Sequence, residues 1–207
     1  MAKRKRPPVK SHSDEQRLDA IAVERALLDK ELSKFQRPIT VMFVDMMGTT
    51  KFFDEHGDVA GFLRMRNHVE TVRVTVAQYG GNLAKTAGDI VLVWFDEPEN
   101  ALHAAVDLLK RIQEQNLAPR VHSEEVHLCM GLNYGTALIK DGEPFGHAVK
   151  LAARIKAIAG ADQILMSALL EEKVRGAGFT IRKVSDAAAL PGGEQIELHE
   201  LLWRDAS

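Results

Sequence analysis

The sequence of 207 residues contains a single cysteine, Cys129, and few aromatic residues, which make up 6% of the chain. One cysteine can form neither an internal disulfide nor a cysteine-based zinc site, so we expect Cys129 to be a small buried residue in a reducing compartment. No apolar run approaches the roughly 18 to 20 residues that span a bilayer. The basic start has no apolar segment behind it to act as a secretory signal. These absences predict a cytoplasmic protein without a transmembrane segment.

Glycine and proline are not enriched, with 15 and 7 residues, which excludes collagen-like and low-complexity chains. The net charge is only −2, but the first thirteen residues hold several basic side chains and no acidic one. We predict that residues 1–12 form a disordered basic tail, because their prolines and serines offer nothing with which to fold. Contact of this tail with nucleic acid or anionic lipid is the alternative, and we expect no specific nucleic-acid partner.

Residues 13–36 contain strong helix formers and no internal glycine or proline, which predicts one helix. Its apolar residues Leu18, Ile21, Leu28, Leu32 and Phe35 recur at spacings of three and four, except that Arg25 interrupts the series between Ile21 and Leu28. This spacing is typical of a short coiled coil or of a helix docked on a domain, and three heptads do not distinguish the two. Pro38 ends the helix, so the globular domain is predicted over 37–207.

The globular part predicts strands and helices in the order β-α-β-β-α-β, followed by a helix and more strands. Strands are predicted at 39–46, 82–95 (a hairpin turning at 87–89), 125–133, 163–166, 179–184 and 195–203, and helices at 59–79, 100–115 and 146–159. Because the hairpin strands are adjacent in sequence, we predict an α+β fold of ferredoxin-like type with a mainly antiparallel sheet.

Two acidic residues lie where an acid is costly unless it has a task. Asp45 ends an apolar strand, and Asp89 lies at the hairpin tip. If the strand and the hairpin are neighbours, both carboxylates reach one edge, where a divalent cation would relieve their repulsion. Asp89 as a turn former and Asp45 as a strand-end cap is the alternative that these residues alone leave open.

Four segments together resemble the successive motifs of the class III nucleotidyl cyclase catalytic domain. They are FVDMMGTT at 43–50, GGNLAKTAGD at 80–89, GLNYG at 131–135 and FGHAVKLAARIKAIAG at 145–160. The resemblance covers about residues 37–203 and implies the cyclase homology fold. It further implies conversion of ATP to 3′,5′-cyclic AMP and pyrophosphate, with two Mg²⁺ or Mn²⁺ ions per site.

The resemblance assigns the metal and phosphate contacts to the first two motifs. Asp45 and Asp89 are the implied metal ligands, together with the backbone carbonyl of Met46. The amides of Met47, Gly48 and Thr49, which open the next helix, are expected to receive phosphate oxygens.

The resemblance also assigns the base and the reacting phosphate. Lys85 and Glu143 are implied to select adenine, with GTP as the lesser substrate, and Arg154 to stabilise charge on the phosphate. The alternatives are that Lys85 is a solvated strand lysine and that Arg154 is an exposed helix residue. One hairpin is unsuited to place Lys85 and Asp89 at opposite ends of one nucleotide, so a homodimer with shared sites is expected.

Two departures from the family pattern keep a second function open. Lys150 stands where active members commonly carry an asparagine, and it could contact phosphate only as a point charge. The late segment PGGEQ lacks a lysine that some members place on the triphosphate. The alternative is a catalytically silent nucleotide-binding and dimerisation module that regulates a partner. In either case the helix at 13–36 is a candidate for coupling to an upstream regulatory partner.

Overall fold

The computed structural model describes residues 12–118 and 125–204. The chain divides into an N-terminal unit, Met1–Gln36, and a second unit, Arg37–Ser207. The N-terminal unit contains helix α1 (His12–Ser33), which confirms the predicted helix, although it ends three residues early because strand β1 begins at Gln36. Except for its last residue, the tail predicted over 1–12 lies outside the described residues. Within the described ranges, no helix is long and apolar enough to cross a membrane.

Strands and helices alternate through the second unit. The strands are β1 (Gln36–Met46), β2 (Asn82–Ala87), β3 (Ile90–Phe95), β4 (Leu128–Lys140), β5 (Glu143–Phe145), β6 (Gln163–Ser167), β7 (Ile181–Ala189) and β8 (Gln195–Leu201). The helices are α2 (Thr49–Gln78), α3 (Pro98–Leu117), α4 (His147–Lys156) and α5 (Ala168–Val174). This order confirms the predicted β-α-β-β-α-β arrangement and the strands that follow it.

The strands form one sheet in the order β2-β3-β1-β4-β6-β8-β7, with β5 paired to β4. The hairpin partners β2 and β3 are antiparallel, as are β1 and β3, whereas β4 and β6 are parallel. The predicted α+β fold with a mainly antiparallel sheet is therefore confirmed. In particular, β1 lies beside the β2-β3 hairpin, which the prediction of a shared carboxylate edge requires.

Several elements differ from the prediction, including β4, which extends to Lys140 instead of residue 133, and β7, which extends to Ala189 instead of residue 184. Helix α2 begins at Thr49 because it joins two helices across a kink at Gly57, where the backbone has φ 80° and ψ 171°. Strand β5 has only three residues, and α5 only seven, so neither is long enough to show a periodic pattern.

Apolar residues of β1 alternate between the two faces of the sheet. One set packs in the core with α2 and α3 (Met42, Val44 and Met46), and the other packs on the α4 side (Ile39 and Val41). Because successive side chains of a strand point to opposite faces, Asp45 lies on the same face as Val41. The alternation thus directs the Asp45 carboxylate towards α4.

Candidate functional site

The two acids singled out in the sequence line one cleft. Val44 and Val91 are paired at the end of the β1-β3 ladder. Asp45 directly follows Val44, and Asp89 lies two residues before Val91, in the hairpin turn. Both residues therefore lie at one end of two neighbouring strands, where they line a cleft of about 560 Å³. The pairing of β1 with β3 therefore brings Asp45 and Asp89 to the same edge of the sheet.

The loop after β1 forms a second wall of this cleft. Gly48 has φ 76°, in the left-handed region that favours glycine, and lets the chain turn sharply from β1 into α2. The Thr49 hydroxyl donates a hydrogen bond of 3.0 Å to the carbonyl of Met46, which leaves that oxygen one lone pair for another partner.

One of the amides expected to contact phosphate has a hydrogen-bond partner within the chain. The amide of Met47 donates a hydrogen bond of 2.9 Å to the carbonyl of His127. This hydrogen bond connects the loop to the residue before β4, and the amide would have to leave it to contact a phosphate. Of the three predicted amides, those of Gly48 and Thr49 remain candidates.

A lysine from α4 contacts the Asp45 carboxylate. The ammonium Nζ of Lys156 lies 2.6 Å from Oδ2 of Asp45, and the two side chains are only 14% and 21% exposed. A charge-assisted hydrogen bond in such a sheltered place is stronger than a surface ion pair. Asp45 is therefore neutralised by its own chain.

A buried histidine supports the turn that carries Asp89. The Nε2 of His68, on α2, lies 2.9 Å from the carbonyl oxygen of Asp89, and since a carbonyl only accepts, Nε2 must donate. Burial lowers the pKa of His68, against the opposing effect of its hydrogen bond to Asp89, so the ring is held neutral. His68 thereby connects the long helix to the hairpin turn.

The donors at this cleft fit a hard divalent cation. Among the described residues, the oxygen donors are the carboxylates of Asp45 and Asp89 and the Met46 carbonyl, and the Lys156 ammonium shows that a positive charge is accommodated beside Asp45. No three His, Cys, Asp or Glu side chains converge within the described ranges. An ion bound here would complete its shell with water and ligand oxygens, as Mg²⁺ commonly does.

Cys129 also lines the cleft, from strand β4, and it is 6% exposed. The predicted buried strand cysteine is therefore present. Burial, with a smaller contribution from the charge of Asp45, raises the pKa of the Cys129 thiol to about 11. The thiol is thus neutral and a poor nucleophile.

The predicted base-recognition residues lie together at another place. The Nζ of Lys85, on β2, is 3.7 Å from Oε2 of Glu143, on β5. The placement of β2 and β5 brings Lys85 and Glu143 close in space, although the two residues are 58 positions apart in the sequence. One ammonium and one carboxylate side by side offer a donor and an acceptor, which is what recognition of adenine through its ring nitrogen and amino group needs.

Arg154 is held by a residue that the sequence analysis did not single out. Its Nη1 donates a hydrogen bond of 2.8 Å to Oε2 of Glu194, which follows the turn between β7 and β8. Lys150, one helical turn earlier on α4, is exposed, and within the described ranges it has no ion-pair partner. Arg154 and Lys150 thus share a side of α4, while Lys156 reaches Asp45.

Within one chain, these groups do not meet. Asp45 and Asp89 line one cleft. Among the described residues, the base-recognition residues Lys85 and Glu143 do not line it, and neither do Lys150 and Arg154 of α4. The predicted site residues therefore form separate groups on a single chain.

Sequence reasoning missed Lys156, Glu194 and His68. A lysine in the last turn of a helix is expected simply to favour the helix dipole, and a lone histidine in a helix carries no motif. Glu194 belongs to the segment PGGEQ, which the sequence marks only by its missing lysine. Their partners are 111, 40 and 21 residues away in sequence, so no local pattern connects them.

Comparison with known proteins gives a consistent result. Residues 32–202 match the family described as the adenylate and guanylate cyclase catalytic domain. An adenylate cyclase of Streptomyces coelicolor is 30% identical over 149 residues, 67% of this chain and 35% of that protein. An uncharacterised Mycobacterium tuberculosis protein is 40% identical over 93 residues, 45% of this chain and 23% of that protein.

A solved structure shows the same fold. The adenylyl cyclase CyaB from Pseudomonas aeruginosa matches with a TM-score of 0.73 at 21% identity, covering 83% of this chain and 96% of that chain. The chain thus spans a quarter to about a third of the length of the sequence relatives above, but nearly all of this solved domain.

Proposed function

The chain belongs to the adenylate and guanylate cyclase catalytic domain family, and on that premise we propose that it converts ATP to 3′,5′-cyclic AMP and pyrophosphate. The observation that carries this proposal is the convergence of Asp45 and Asp89 on one cleft, beside the loop that begins at Met46. Adenylate cyclases among its relatives support the reaction class. In this reaction the ribose 3′-oxygen bonds to the α-phosphorus, and the bond to the β-phosphate breaks to release pyrophosphate.

Asp45, Asp89 and the Met46 carbonyl would hold the divalent ions, Mg²⁺ or Mn²⁺, two per site. When bound, these ions would acidify the 3′-hydroxyl and neutralise the triphosphate. The amides of Gly48 and Thr49, at the start of α2, would donate hydrogen bonds to phosphate oxygens. No protein nucleophile is needed, in agreement with the neutral thiol of Cys129.

Lys85 and Glu143 would read the base, and Arg154 would neutralise charge on the reacting phosphate. Lys85 would donate to a ring nitrogen of adenine and Glu143 would accept from the amino group. Guanine presents an oxygen and a protonated nitrogen there, so each group would be mismatched, and an unpaired buried group costs about 1 to 3 kcal/mol. ATP is therefore the proposed substrate.

We propose that two chains form the site together as a homodimer. The separation of the carboxylate cleft from Lys85, Glu143 and the α4 cations on one chain supports this arrangement. Asp45 and Asp89 of one chain would then face the base and phosphate residues of the other, giving two equivalent sites. The exposed side chain of Lys150 would serve the phosphate as a point charge. We place the protein in the cytoplasm, where ATP is available.

The direct test is product identification. We expect purified protein incubated with Mn²⁺ and each nucleoside triphosphate separately to release cyclic AMP from ATP, detected by mass, and less product from GTP. Preferred use of GTP or of a pyrimidine nucleotide would contradict the adenine assignment.

The metal assignment is tested in the same assay with Asp89→Asn. We expect this variant to lose turnover while keeping its thermal stability, because it removes charge from an acidic edge. Asp96→Asn is the matched control, since Asp96 follows the other end of β3 and pairs with the exposed Arg37. Full activity of Asp89→Asn would contradict the proposed metal site.

The second candidate is a silent nucleotide-binding and dimerisation module, in which α1 couples the domain to a regulatory partner. Lys150 favours it, because an ammonium cannot supply the amide oxygen expected at that position. If wild type and Lys150→Asn both bind nucleotide without making product, the silent module is the better description. Activity of the wild type would exclude it.

A further inference from the structure

Lys156 places a full positive charge on a carboxylate that is a proposed metal ligand. Its ammonium lies 2.6 Å from Oδ2 of Asp45, and both side chains are more than three-quarters buried. Among the described residues, the other lysine of the cleft is placed differently: Lys51, at its rim, is 78% exposed and pairs with Glu55. The contact between Lys156 and Asp45 is therefore specific to one of two lysines that line the same cleft.

The backbone position of Lys156 is fixed by close packing of α4 on β4. A Cβ added at Gly131 would lie 2.1 Å from the backbone nitrogen of Lys156 and 2.6 Å from its Cα. The neighbouring residues Ala152 and Ile155 are fully buried. The end of α4 thus cannot withdraw without disrupting the core, and only the flexible lysine side chain can move.

We propose that Lys156 is an internal cation that competes with a divalent metal ion for Asp45 and thereby weakens metal binding. The proposal rests on the proposed function of Asp45 as a metal ligand. An ammonium 2.6 Å from Oδ2 occupies one acceptor direction of that oxygen and repels a second cation nearby. A metal ion must displace the ammonium from this carboxylate, and that displacement costs free energy.

The test is a titration of nucleotide-free protein with Mn²⁺, in which electron paramagnetic resonance measures the concentration of free ion. We expect Lys156→Gln to lower the Kd for Mn²⁺ about tenfold, the scale of one hydrogen bond to a charged group. Lys156→Arg keeps the positive charge, and Lys51→Gln removes a charge from the rim of the same cleft. Both controls should stay within about twofold of wild type.

A measurement on the wild-type chain avoids any loss of folding in the variants. Reductive methylation with mass spectrometry reports the accessibility of each lysine. We expect Mn²⁺ to increase modification of Lys156 about tenfold or more as the ammonium leaves Asp45, with Lys51 unchanged. In thermal unfolding, we expect Mn²⁺ to raise the Tm of Lys156→Gln more than the Tm of wild type.

The outcomes separate the two proposals. If Lys156→Gln binds Mn²⁺ no more tightly than wild type, or if Mn²⁺ leaves the modification of Lys156 unchanged, competition is refuted although the metal site stands. If Asp45→Asn binds Mn²⁺ as well as wild type does, Asp45 is not a ligand. In that case the proposed metal site and the competition both fail.

Discussion

Two residues with proposed catalytic roles carry charges that the chain itself neutralises. Asp45 pairs with Lys156, and Arg154 pairs with Glu194. A metal-nucleotide complex would bring positive charge to the first and negative charge to the second, so it would compete with both internal partners. At the residue scale, ligand binding is thus expected to be an exchange of ion pairs.

Glu194→Gln tests the second pair. The substitution keeps the shape but removes the carboxylate charge, which competes with phosphate for the guanidinium of Arg154. Because partly exposed ion pairs contribute about 0.2 to 1 kcal/mol, we expect the KM for ATP to fall by a factor of about 1.4 to 5. Steady-state kinetics would measure the KM. The control is Glu200→Gln, because Glu200 pairs with Arg182 on the neighbouring strand. An unchanged or higher KM would contradict the prediction.

Cys129 predicts a dependence of stability on pH. The fold raises the pKa of its thiol from 9.0 to about 11, so the unfolded chain loses this proton first as pH rises. The contribution of Cys129 is therefore complete below about pH 9 and is lost between pH 9 and 11. We expect the difference in free energy of unfolding between wild type and Cys129→Ala to change over this interval and to stay constant between pH 7 and 8.

Denaturant unfolding at each pH measures this difference. Iodoacetamide provides an independent check, because a neutral buried thiol should be alkylated slowly at pH 8 in the folded protein and rapidly in the unfolded one. Rapid alkylation of the folded protein would contradict the raised pKa.

At the scale of elements, α4 connects the two groups of site residues. It carries Arg154 towards Glu194 and Lys156 towards Asp45, and it lies directly on β4. Gly131 is the point of contact, since any side chain there would collide with the backbone of Lys156. The absence of a side chain at one strand position thus decides where both charged residues lie.

Gly131→Ala tests this packing. The added methyl group forces α4 away from β4, so we expect the free energy of unfolding to fall by about 1 to 3 kcal/mol, the usual cost of overpacking. Gly160→Ala is the control, because the nearest atom to its added Cβ, Oε1 of Gln163, is 3.6 Å away. Denaturant unfolding of both variants measures the difference, and equal stability would show that α4 accommodates the methyl group.

At the scale of the whole molecule, the proposed activity depends on a second chain. Asp45 and Arg154 belong to different groups on one chain, and in a two-fold dimer they would complete each other's sites. Each active centre would then be built from two copies of the same sequence.

Mixing Asp45→Ala with Arg154→Ala tests the shared site. Each variant should be inactive alone, but a heterodimer contains one site with every residue intact and one doubly defective site. We expect about half the wild-type activity per heterodimer, and about a quarter overall if the chains pair at random. A cyclic AMP assay after demonstrated subunit exchange measures it. No recovery would contradict shared sites, and a wild-type enzyme active as a monomer would exclude them.

Local patterns in the sequence were sufficient to predict the strand that ends at Asp45, the hairpin that turns before β3, and the α+β fold. Apolar alternation and glycine turns act over a few residues, so these features can be read without the tertiary structure. The four motifs further identified the family. The short elements β5 and α5, and the early start of α2, were missed because three to ten residues carry too little periodicity.

The sequence alone therefore determined which residues are candidates, and the tertiary structure decided what they contact. Convergence of Asp45 and Asp89 required the pairing of β1 with β3, and the contact of Lys156 with Asp45 spans 111 residues. The hydrogen bond of the Met47 amide could not be predicted, because its acceptor, the carbonyl of His127, comes from a distant segment. The physical reason is the same in each case: charge pairing and hydrogen bonding depend on distance in space, which only the packing of α4 and the sheet sets.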